Sequence, residues 1–540
     1  MTLTLPDSLR HIQRELERER AMPRRIRSLV AEAGVTPGDL EPWQDYDHPA
    51  EDSYGRRLVC CGPNYEMIVM TWRPGAFSMI HDHGHTQWGA VQVFGAAEHA
   101  CFRLDEEGKL VTAVRHPVEP GQILYVPNAM VHQMGNPTEA PFFSLHVYGT
   151  PHDIEVVTGD ARMFDVHRAE VQRTGGGVFF ALPRSEIDAI EPGPSGDYAT
   201  VLRYRVEAIK RLRWMAEAGV TRGADELAEL TVALSSVEQK ACLHEALRAI
   251  TDEDGHITDS VQWDVLSQEL RATSELQRSL REAAHAGDDD FADYAQDYDA
   301  LIGQPCLDGF MKGYLARFAE QQPLGDLDIV SVGCGTALVE AYLIEHHGAD
   351  PARLYGFDLS DAMVEVARRR IQADQADLFE IGALGRTWDL AYAGLNVLQY
   401  ATPERFEDAV AEVAKVVRPG GCFLGDFITP DHIRRYPNLL MSEDGEVLSL
   451  RTPKLRERDG SMLQESDILN ISFTRGRMAV EHVGRHARFL PPMVRVRRAF
   501  EQAFGGPVEL VDAVTHQVVP DTWDTCPSTR YVVHARKVDG

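Results

Sequence analysis

The stretch that most constrains this chain is Met79-Ile80-His81-Asp82-His83-Gly84, answered some fifty residues later by His132. In an extended strand successive side chains alternate faces, so His81 and His83 point one way and Asp82 the other. Two imidazoles are thereby sent from one strand edge toward one point. The surroundings agree. From Arg57 the chain breaks into short β-rich runs separated by Gly and Pro: Leu58 to Cys61, Tyr65 to Trp72, Gly89 to Phe94, Ala97 to Leu104, Gln122 to Val126 and Phe142 to Tyr148. Evenly spaced short strands predict a closed antiparallel barrel or a jelly roll.

A helical preface precedes these strands. Leu9, Ile12, Leu16, Ile26 and Leu29 recur at helical spacing over residues 8 to 34, with an interruption near Pro23. Gly175-Gly176-Gly177 predicts a turn near the end of the β-rich part, and Pro192-Gly193-Pro194-Ser195-Gly196 a linker. Beyond it, Leu202, Val206, Ile209 and Leu212 mark a helix over Val201 to Ala216, and Ala224 to Ile250 continues in kind. Residues 251 to 300 hold fourteen acids against three arginines, including Asp288-Asp289-Asp290, which reads as a solvated face or loop. From Asp328 strands and helices alternate: Ile329 to Val332, a helix from Ala337, Leu354 to Phe357, a helix from Asp361, Asp389 to Ala393, a helix from Pro403, and Cys422 to Ile428. That order predicts a parallel sheet with helices on both faces, closed by an edge strand over Arg530 to Lys537.

Length and charge narrow the function. At 540 residues the chain exceeds one ordinary core. A net charge of −29 argues against a nucleic-acid partner, since backbone binding rests on basic patches that release counterions. No charged leader, no long apolar run and eight scattered cysteines without a CxxC pair point to a cytoplasmic chain with reduced thiols and no membrane partner. Nothing fixes an oligomeric state.

Three neutral imidazoles can hold a first-row divalent ion on one face and leave its other positions for ligands. The spacing Gly75, His81-x-His83, Trp88, Gly95, then Pro120-Gly121, Pro127, His132 and Asn136 resembles the bipartite cupin signature, with Trp88 where most cupins carry a glutamate ligand. Together with Tyr54-Gly55-Arg56, His132-Gln133-Met134-Gly135-Asn136 and Ser144-Leu145-His146-Val147-Tyr148, residues 5 to 170 resemble the cysteine dioxygenase family of thiol dioxygenases. The resemblance implies Fe(II) on His81, His83 and His132, a relay of Ser144, His146 and Tyr148, and oxidation of a small thiol by O2 to a sulfinate. Ser144, His146 and Tyr148 alternate along a strand and so share a face. Arg56, a planar fork of donors, suits a substrate carboxylate, although Arg57 is an equal candidate for the inward position and either could serve an ordinary surface ion pair. In animal members a cysteine near the position of Trp88 cross-links to the tyrosine. No cysteine stands there, so Tyr148 is expected unmodified, with Trp88 reshaping the pocket and opening it to thiol acids other than cysteine. His85 is expected in a loop role. The histidines alone leave nickel and zinc open.

Val330-Ser331-Val332-Gly333-Cys334-Gly335-Thr336-Ala337 follows a strand and opens a helix, and Asp358 ends the next strand. Glycines let backbone approach a ligand closely, and an acid so placed can accept both ribose hydroxyls. With Asp361-Ala362-Met363, Asp389 to Ala393, Asn396 to Tyr400 and Val417-Arg418-Pro419-Gly420-Gly421 in order, residues 290 to 538 resemble the class I S-adenosylmethionine-dependent methyltransferases. The resemblance implies that Gly333, Cys334 and Gly335 line the methionine moiety, Asp358 binds ribose, Leu359 and Met363 flank adenine, and Asn396 and Tyr298 contact the cofactor. Ala337 replaces a frequent third glycine, and Ile381-Gly382-Ala383-Leu384 lacks an acid for the adenine amine.

The expected chain is multidomain: an all-β cupin barrel with a helical N-terminus over 1–175, a linker and helical middle region over 176–285, and an α/β Rossmann-like methyltransferase domain over 286–540. Its expected partners are a small thiol, O2 and a small-molecule methyl acceptor. The alternative is a methyltransferase regulated by a non-catalytic, metal- or ligand-sensing cupin. Residues 440 to 515, including Arg451 to Arg458 and Ile471 to Arg475, are expected over the acceptor pocket, without a diagnostic cluster.

Overall fold

The computed structural model describes residues 4–20, 24–280, 295, 298–474, 476–520 and 525–538. Pro23, Asp288-Asp289-Asp290, Asp297, Arg475 and the 285/286 boundary lie outside them. The chain divides into two compact units, Met1–Ile250 with Asp259–Leu280, and Thr251–Thr258 with Arg281–Gly540.

In the first unit the strands are β1 (Gly55–Gly62), β2 (Tyr65–Trp72), β3 (Trp88–Val93), β4 (Ala97–Leu104), β5 (Leu110–Val118), β6 (Ile123–Pro127), β7 (Val131–Gly135), β8 (Phe142–Gly149), β9 (Ala161–Asp165), β10 (Glu170–Thr174) and β11 (Ala189–Pro192). They pair antiparallel in three sheets, ordered β1-β2-β8-β3-β6, β5-β4-β7 and β11-β10-β9. Period-2 alternation gives the five-stranded sheet two different faces. Met67, Val69, Trp88, Ala90, Leu145 and Val147 form one face. They pack against Leu9, Ile12 and Leu16 of the helix Asp7–Arg18 and Ile26, Leu29 and Val30 of the helix Ile26–Ala33. Each such apolar side chain removed from water contributes about 2 kcal/mol, enough to hold two short helices with little stability of their own. The intervening positions, Met70, Trp72, His146 and Tyr148, line a cavity on the other face.

The helices of residues 198–280 belong to this same unit. Tyr198–Glu217 is capped by the Asp197 carboxylate, which accepts from Thr200 N, and is followed by Ala224–Leu234, Gln239–Ile250 and Ser260–Leu280. Over the acidic stretch Asp252, Glu253, Asp254, Asp259, Asp264 and Glu275 are exposed, as a solvated face requires, and the last helix supplies one exception. Its Glu269 is fully buried, because Arg115 and Arg203 reach it at 2.9 and 3.3 Å.

The second unit contains β12 (Ile329–Val332), β13 (Leu354–Asp358), β14 (Gln372–Gln375), β15 (Trp388–Ala393), β16 (Val417–Ile428), β17 (Leu439–Met441), β18 (Val447–Arg458), β19 (Ser461–Thr474), β20 (Arg477–Phe489), β21 (Val508–Asp512) and β22 (Arg530–Arg536). Seven of them form a sheet ordered β14-β13-β12-β15-β16-β22-β21, parallel as far as β16. Helices Phe406–Val416 and Met493–Phe504 cover one face; Lys312–Gln321, Leu338–His347 and Asp361–Ala367 cover the other. The strand over Arg530–Arg536 is not the edge. It lies between β16 and β21, which explains its run of buried residues. A four-stranded antiparallel sheet, β17-β18-β19-β20, is inserted between β16 and the helix Met493–Phe504. No helix among the described residues is long and apolar enough to cross a membrane.

Candidate functional site

His81, His83 and His132 converge. One ring nitrogen from each lies within 4.8 Å of the others, and the Nε2 atoms of His83 and His132 are 3.1 Å apart. His81 does not lie in a regular strand; it makes single bridges to His132 and Met163, which suffices to aim it. His81 Nδ1–H donates to the carbonyl of Met79 at 2.8 Å, which leaves Nε2 bare toward the centre. His132 is held through His99, whose Nε2 lies 2.8 Å from His132 Nδ1. Such an outer partner fixes the ring and its tautomer. His99, on β4, was missed in the sequence because it belongs to neither histidine motif; only the pairing of β4 with β7 brings it there. Burial pushes His81 down to about 4, and burial with the neighbouring imidazoles holds His83 and His132 well below the ordinary histidine range. At neutral pH all three therefore present lone pairs.

Beside them runs a hydrogen-bonded chain with a definite polarity. Trp72 Nε1–H donates to Ser144 Oγ at 2.9 Å, Ser144 Oγ lies 2.8 Å from His146 Nε2, and His146 Nδ1 lies 2.8 Å from Tyr148 Oη. The indole can only donate, and among the described residues the one acceptor for the Ser144 hydroxyl is His146 Nε2. His146 then carries its proton on Nδ1 and donates it to Tyr148 Oη. The phenol hydrogen is left to point into the cavity. Burial, then Arg56, pushes His146 down to about 3, and burial raises Tyr148, so both are neutral.

Arg56 lines this cavity, donating to Thr158 Oγ1 at 2.8 Å, which in turn donates to Glu66. Arg57 is exposed and paired with Asp45 at 2.8 Å, so the inward position is settled as Arg56. Trp88 does not line the cavity; alternation turns it to the opposite face, under the helices. The residue opposite Tyr148 on β3 is Gly89, where an added Cβ would lie 2.5 Å from the tyrosine ring. Tyr148 thus faces no side chain there, and the expectation that Trp88 reshapes the pocket is corrected. His85 is exposed in a loop. The cavity measures about 30 Å3.

A larger cavity, about 310 Å3, opens at the carboxyl ends of the parallel strands in the second unit. Gly333, Cys334, Gly335, Asp358, Leu359, Met363, Asn396 and Tyr298 all line it. Gly333 has φ +67°, and a Cβ there would meet Val397 at 2.6 Å, so only glycine gives this loop its path. Asp358 is oriented by backbone N–H groups of Gly335 at 2.8 Å and Ser360 at 3.0 Å. Leu359 is 67% exposed at the rim, while Met363 is buried. Ala337 adopts φ 59°, the left-handed conformation that favours the expected glycine. No acid lines the cavity from Ile381 to Leu384, but Asp377, two residues beyond β14, does line it. That short polar strand was not recognised in the sequence. Glu340, another unforeseen lining residue, accepts from Ser331 Oγ at 2.5 Å, and burial raises it to about 7.

The far end of this cavity corrects the expectation that residues 440 to 515 hold no diagnostic cluster. Arg451 on β18, Gln464 and Ile468 on β19, and His486 and Arg488 on β20 share one face. The register sets Arg451 opposite Ile468 and Gln464 opposite Arg488.

Residues 329–421 match the family model described as a methyltransferase domain. Among solved structures, the second unit is similar to an S-adenosylmethionine-dependent methyltransferase from Clostridium acetobutylicum, 16% identical, covering 46% of this chain and 99% of that one, with a TM-score of 0.38. It is likewise similar to the CcbJ methyltransferase from Streptomyces caelestis, at 15% identity, 47% and 100% coverage and a TM-score of 0.36. The sugar N-methyltransferase KedS8 from Streptoalloteichus is 20% identical, with 42% and 86% coverage and a TM-score of 0.31. By the family match, residues 329–421 form a methyltransferase domain.

Proposed function

We propose that the chain is a bifunctional enzyme: an Fe(II)- and O2-dependent thiol dioxygenase in its first unit and an S-adenosylmethionine-dependent small-molecule methyltransferase in its second, acting in one sulfur-metabolite pathway. The dioxygenase reading is carried by the three neutral imidazoles converging beside a phenol whose hydrogen is left free. His83 and His132 bring two ring nitrogens to 3.1 Å beside His81, and a set of three converging neutral imidazoles fits a divalent ion. When bound, Fe(II) would supply the redox chemistry that joins O2 to sulfur. Overall, RSH + O2 gives RSO2H, the sulfur losing four electrons and dioxygen gaining them. Arg56 would hold a substrate carboxylate, and Tyr148 would donate its hydroxyl hydrogen to developing negative charge on oxygen, with His146, Ser144 and Trp72 fixing its direction.

In the second unit Gly333 and Gly335 would admit the methionine moiety, Asp358 the ribose hydroxyls, and Leu359 and Met363 the adenine; Cys334, Asn396 and Tyr298 would complete the cofactor's surroundings. Methyl transfer asks mainly for alignment of acceptor and sulfonium.

Protein loaded anaerobically with Fe(II) is expected to consume O2 with cysteine or 3-mercaptopropionate, and His83→Ala to abolish this. No uptake with any thiol carboxylate sinks the dioxygenase reading. Asp358→Ala is expected to lose S-adenosylmethionine binding while O2 uptake survives; equal loss of both contradicts two separable sites. A second reading, a metal-sensing unit that regulates methylation without turnover, draws on the small volume of the first cavity, about 30 Å3 against about 310 Å3 in the second unit. Metal binding with no O2 consumption, together with a metal-dependent methylation rate, would establish it.

A further inference from the structure

The methyltransferase cavity has two electrostatic ends. Its acids, Glu340, Asp358 and Asp377, gather at the glycine-loop end. The other end carries Arg451, Arg488 and Arg530 and no carboxylate among its described lining residues. Arg530 is already neutralised: it is ion-paired to the buried Asp426 and lies over the Phe310 ring at 4.4 Å. Arg451 and Arg488 are different. Arg451 is 5% exposed and donates to Tyr436 Oη at 2.9 Å and Ser449 Oγ at 3.2 Å, both neutral, while its remaining terminal nitrogen, buried, has no partner among the described residues. Arg488 donates to Tyr400 Oη at 2.8 Å, and its buried Nε has none.

Neither guanidinium has an acid within ion-pair distance among the described residues. Both act electrostatically on the same two groups, Tyr436 and His486, which places them on one small volume. Burial, Arg488 and Arg451 drive His486 down to about 4, and burial with Arg530 and Arg488 drives His432 to about 3, so the imidazoles lining this end are neutral. A buried and a half-buried guanidinium with spare donors and no acid within ion-pair distance among the described residues are costly unless a ligand brings the anion.

We propose that the methyl acceptor carries an oxyanion head, of the carboxylate, sulfinate or phosphonate type, held by Arg451 and Arg488 at the end of the cavity opposite the glycine loop. The proposal rests on the methyltransferase reading of the second unit and names its acceptor class. A planar or pyramidal oxyanion offers the lone pairs that two guanidinium forks require, whereas a neutral head leaves both cations unanswered.

The full-length protein, with and without S-adenosylhomocysteine, would be titrated calorimetrically with acetate, methanesulfinate and methylphosphonate, against acetamide and dimethyl sulfone as neutral counterparts. Saturable binding of at least one oxyanion, with the neutral counterpart much weaker, is expected. Arg451→Gln and Arg488→Gln are each expected to weaken it about tenfold or more, and Arg451→Lys and Arg488→Lys to retain part of it, with S-adenosylhomocysteine affinity unchanged in all four as the check on folding. Absence of oxyanion binding in protein that binds S-adenosylhomocysteine overturns the proposal, as does equal binding of acetamide and acetate or full affinity in the glutamine variants. Oxyanion binding without any S-adenosylhomocysteine binding would sink the cofactor reading while the arginine pair stands.

Discussion

Each unit holds a buried arginine beside a partly buried one, and the two pairs live under opposite conditions. In the first unit Arg115 contacts Glu98 at 2.7 Å and Glu269 at 2.9 Å, and Arg203 contacts Glu98 at 2.7 Å, Glu269 at 3.3 Å and Glu207. Gln133, the neighbour of His132, donates to Glu207. Three carboxylates answer two guanidiniums, with Lys210 as a further cation acting on Glu98 and Glu207. In the second unit Arg451 and Arg488 meet hydroxyl groups and the rings of Tyr436 and Tyr400, at 5.5 and 5.0 Å, but no carboxylate among the described residues. A buried charge with its counter-charge built in is a structural device, because it ties β4 and β5 to the helices Tyr198–Glu217 and Ser260–Leu280. A charge without a counter-charge among the described residues is, on the proposal above, a binding device. The stability effects of removing each kind should differ in size and in sign.

The largest effect belongs to the compensated cluster. Arg115→Met leaves the buried Glu269 and the partly buried Glu98 with Arg203 as their remaining ion-pair partner among the described residues, and should destabilise the first unit by about 3–5 kcal/mol. Urea unfolding followed by far-UV circular dichroism measures it, and a loss under about 1 kcal/mol would break the comparison. Next is Glu340, buried with its second oxygen unpartnered, where burial outweighs the attraction of Arg370. Its carboxyl titrates at about 7 instead of 4.5. Between those values the unfolded chain releases the proton first, so the contribution of the neutral carboxyl is complete below about 4.5 and is lost as pH rises through about 7. Glu340→Gln stays neutral throughout. Its advantage over the wild type should grow from near zero at pH 4 to roughly 3 kcal/mol at pH 8. A constant offset across that range would show that Glu340 has a counter-charge after all.

The same contrast explains what could be read in the sequence. His81 and His83 were legible because their relation is local, two residues apart on one edge, and Ser144, His146 and Tyr148 because they alternate along one strand. The glycine loop and Asp358 were legible for a similar reason, each sitting at the end of a strand whose apolar run announces it. Arg451 and Arg488 were not. They are 37 positions apart by number, on strands that meet only through β19, and no spacing rule links them. His99 was hidden likewise, since its contact with His132 depends on the register of β4 against β7. Trp88 misled for the opposite reason: its place in a spacing pattern was clear, but one step along β3 decides the face, and the cavity side belongs to Gly89.

A smaller effect tests whether the relay's polarity is set from its far end. Trp72→Phe keeps the stacking surface against Tyr54, whose ring lies 4.6 Å away, but removes the donor to Ser144 Oγ. The cost in stability should be about 1 kcal/mol. Released from the indole, the Ser144 hydroxyl no longer has to hold one orientation, and His146 can exchange its tautomer. Nitrogen-15 shifts of the His146 ring should move from a single Nδ1–H form toward a mixture, and unchanged shifts would locate the control of the relay elsewhere.

The smallest effect is the most telling. Arg451→Met, in protein without any oxyanion, removes a buried cation that has no acid to leave behind. Its loss strands only neutral acceptors, the hydroxyls of Tyr436 and Ser449, each costing about 1 kcal/mol or more. Against this stands the relief of an uncompensated charge, which burial makes several kcal/mol unfavourable before relaxation. The two nearly cancel, so the variant should unfold within about 1 kcal/mol of the wild type and on the stable side. Added oxyanion should then reverse the order, raising the wild-type midpoint while leaving the variant where it was, because a ligand stabilises only the state that binds it. A loss of the size expected for Arg115→Met, in the absence of ligand, would mean that Arg451 already has its partner within the fold, and the distinction between the two arginine pairs would fall.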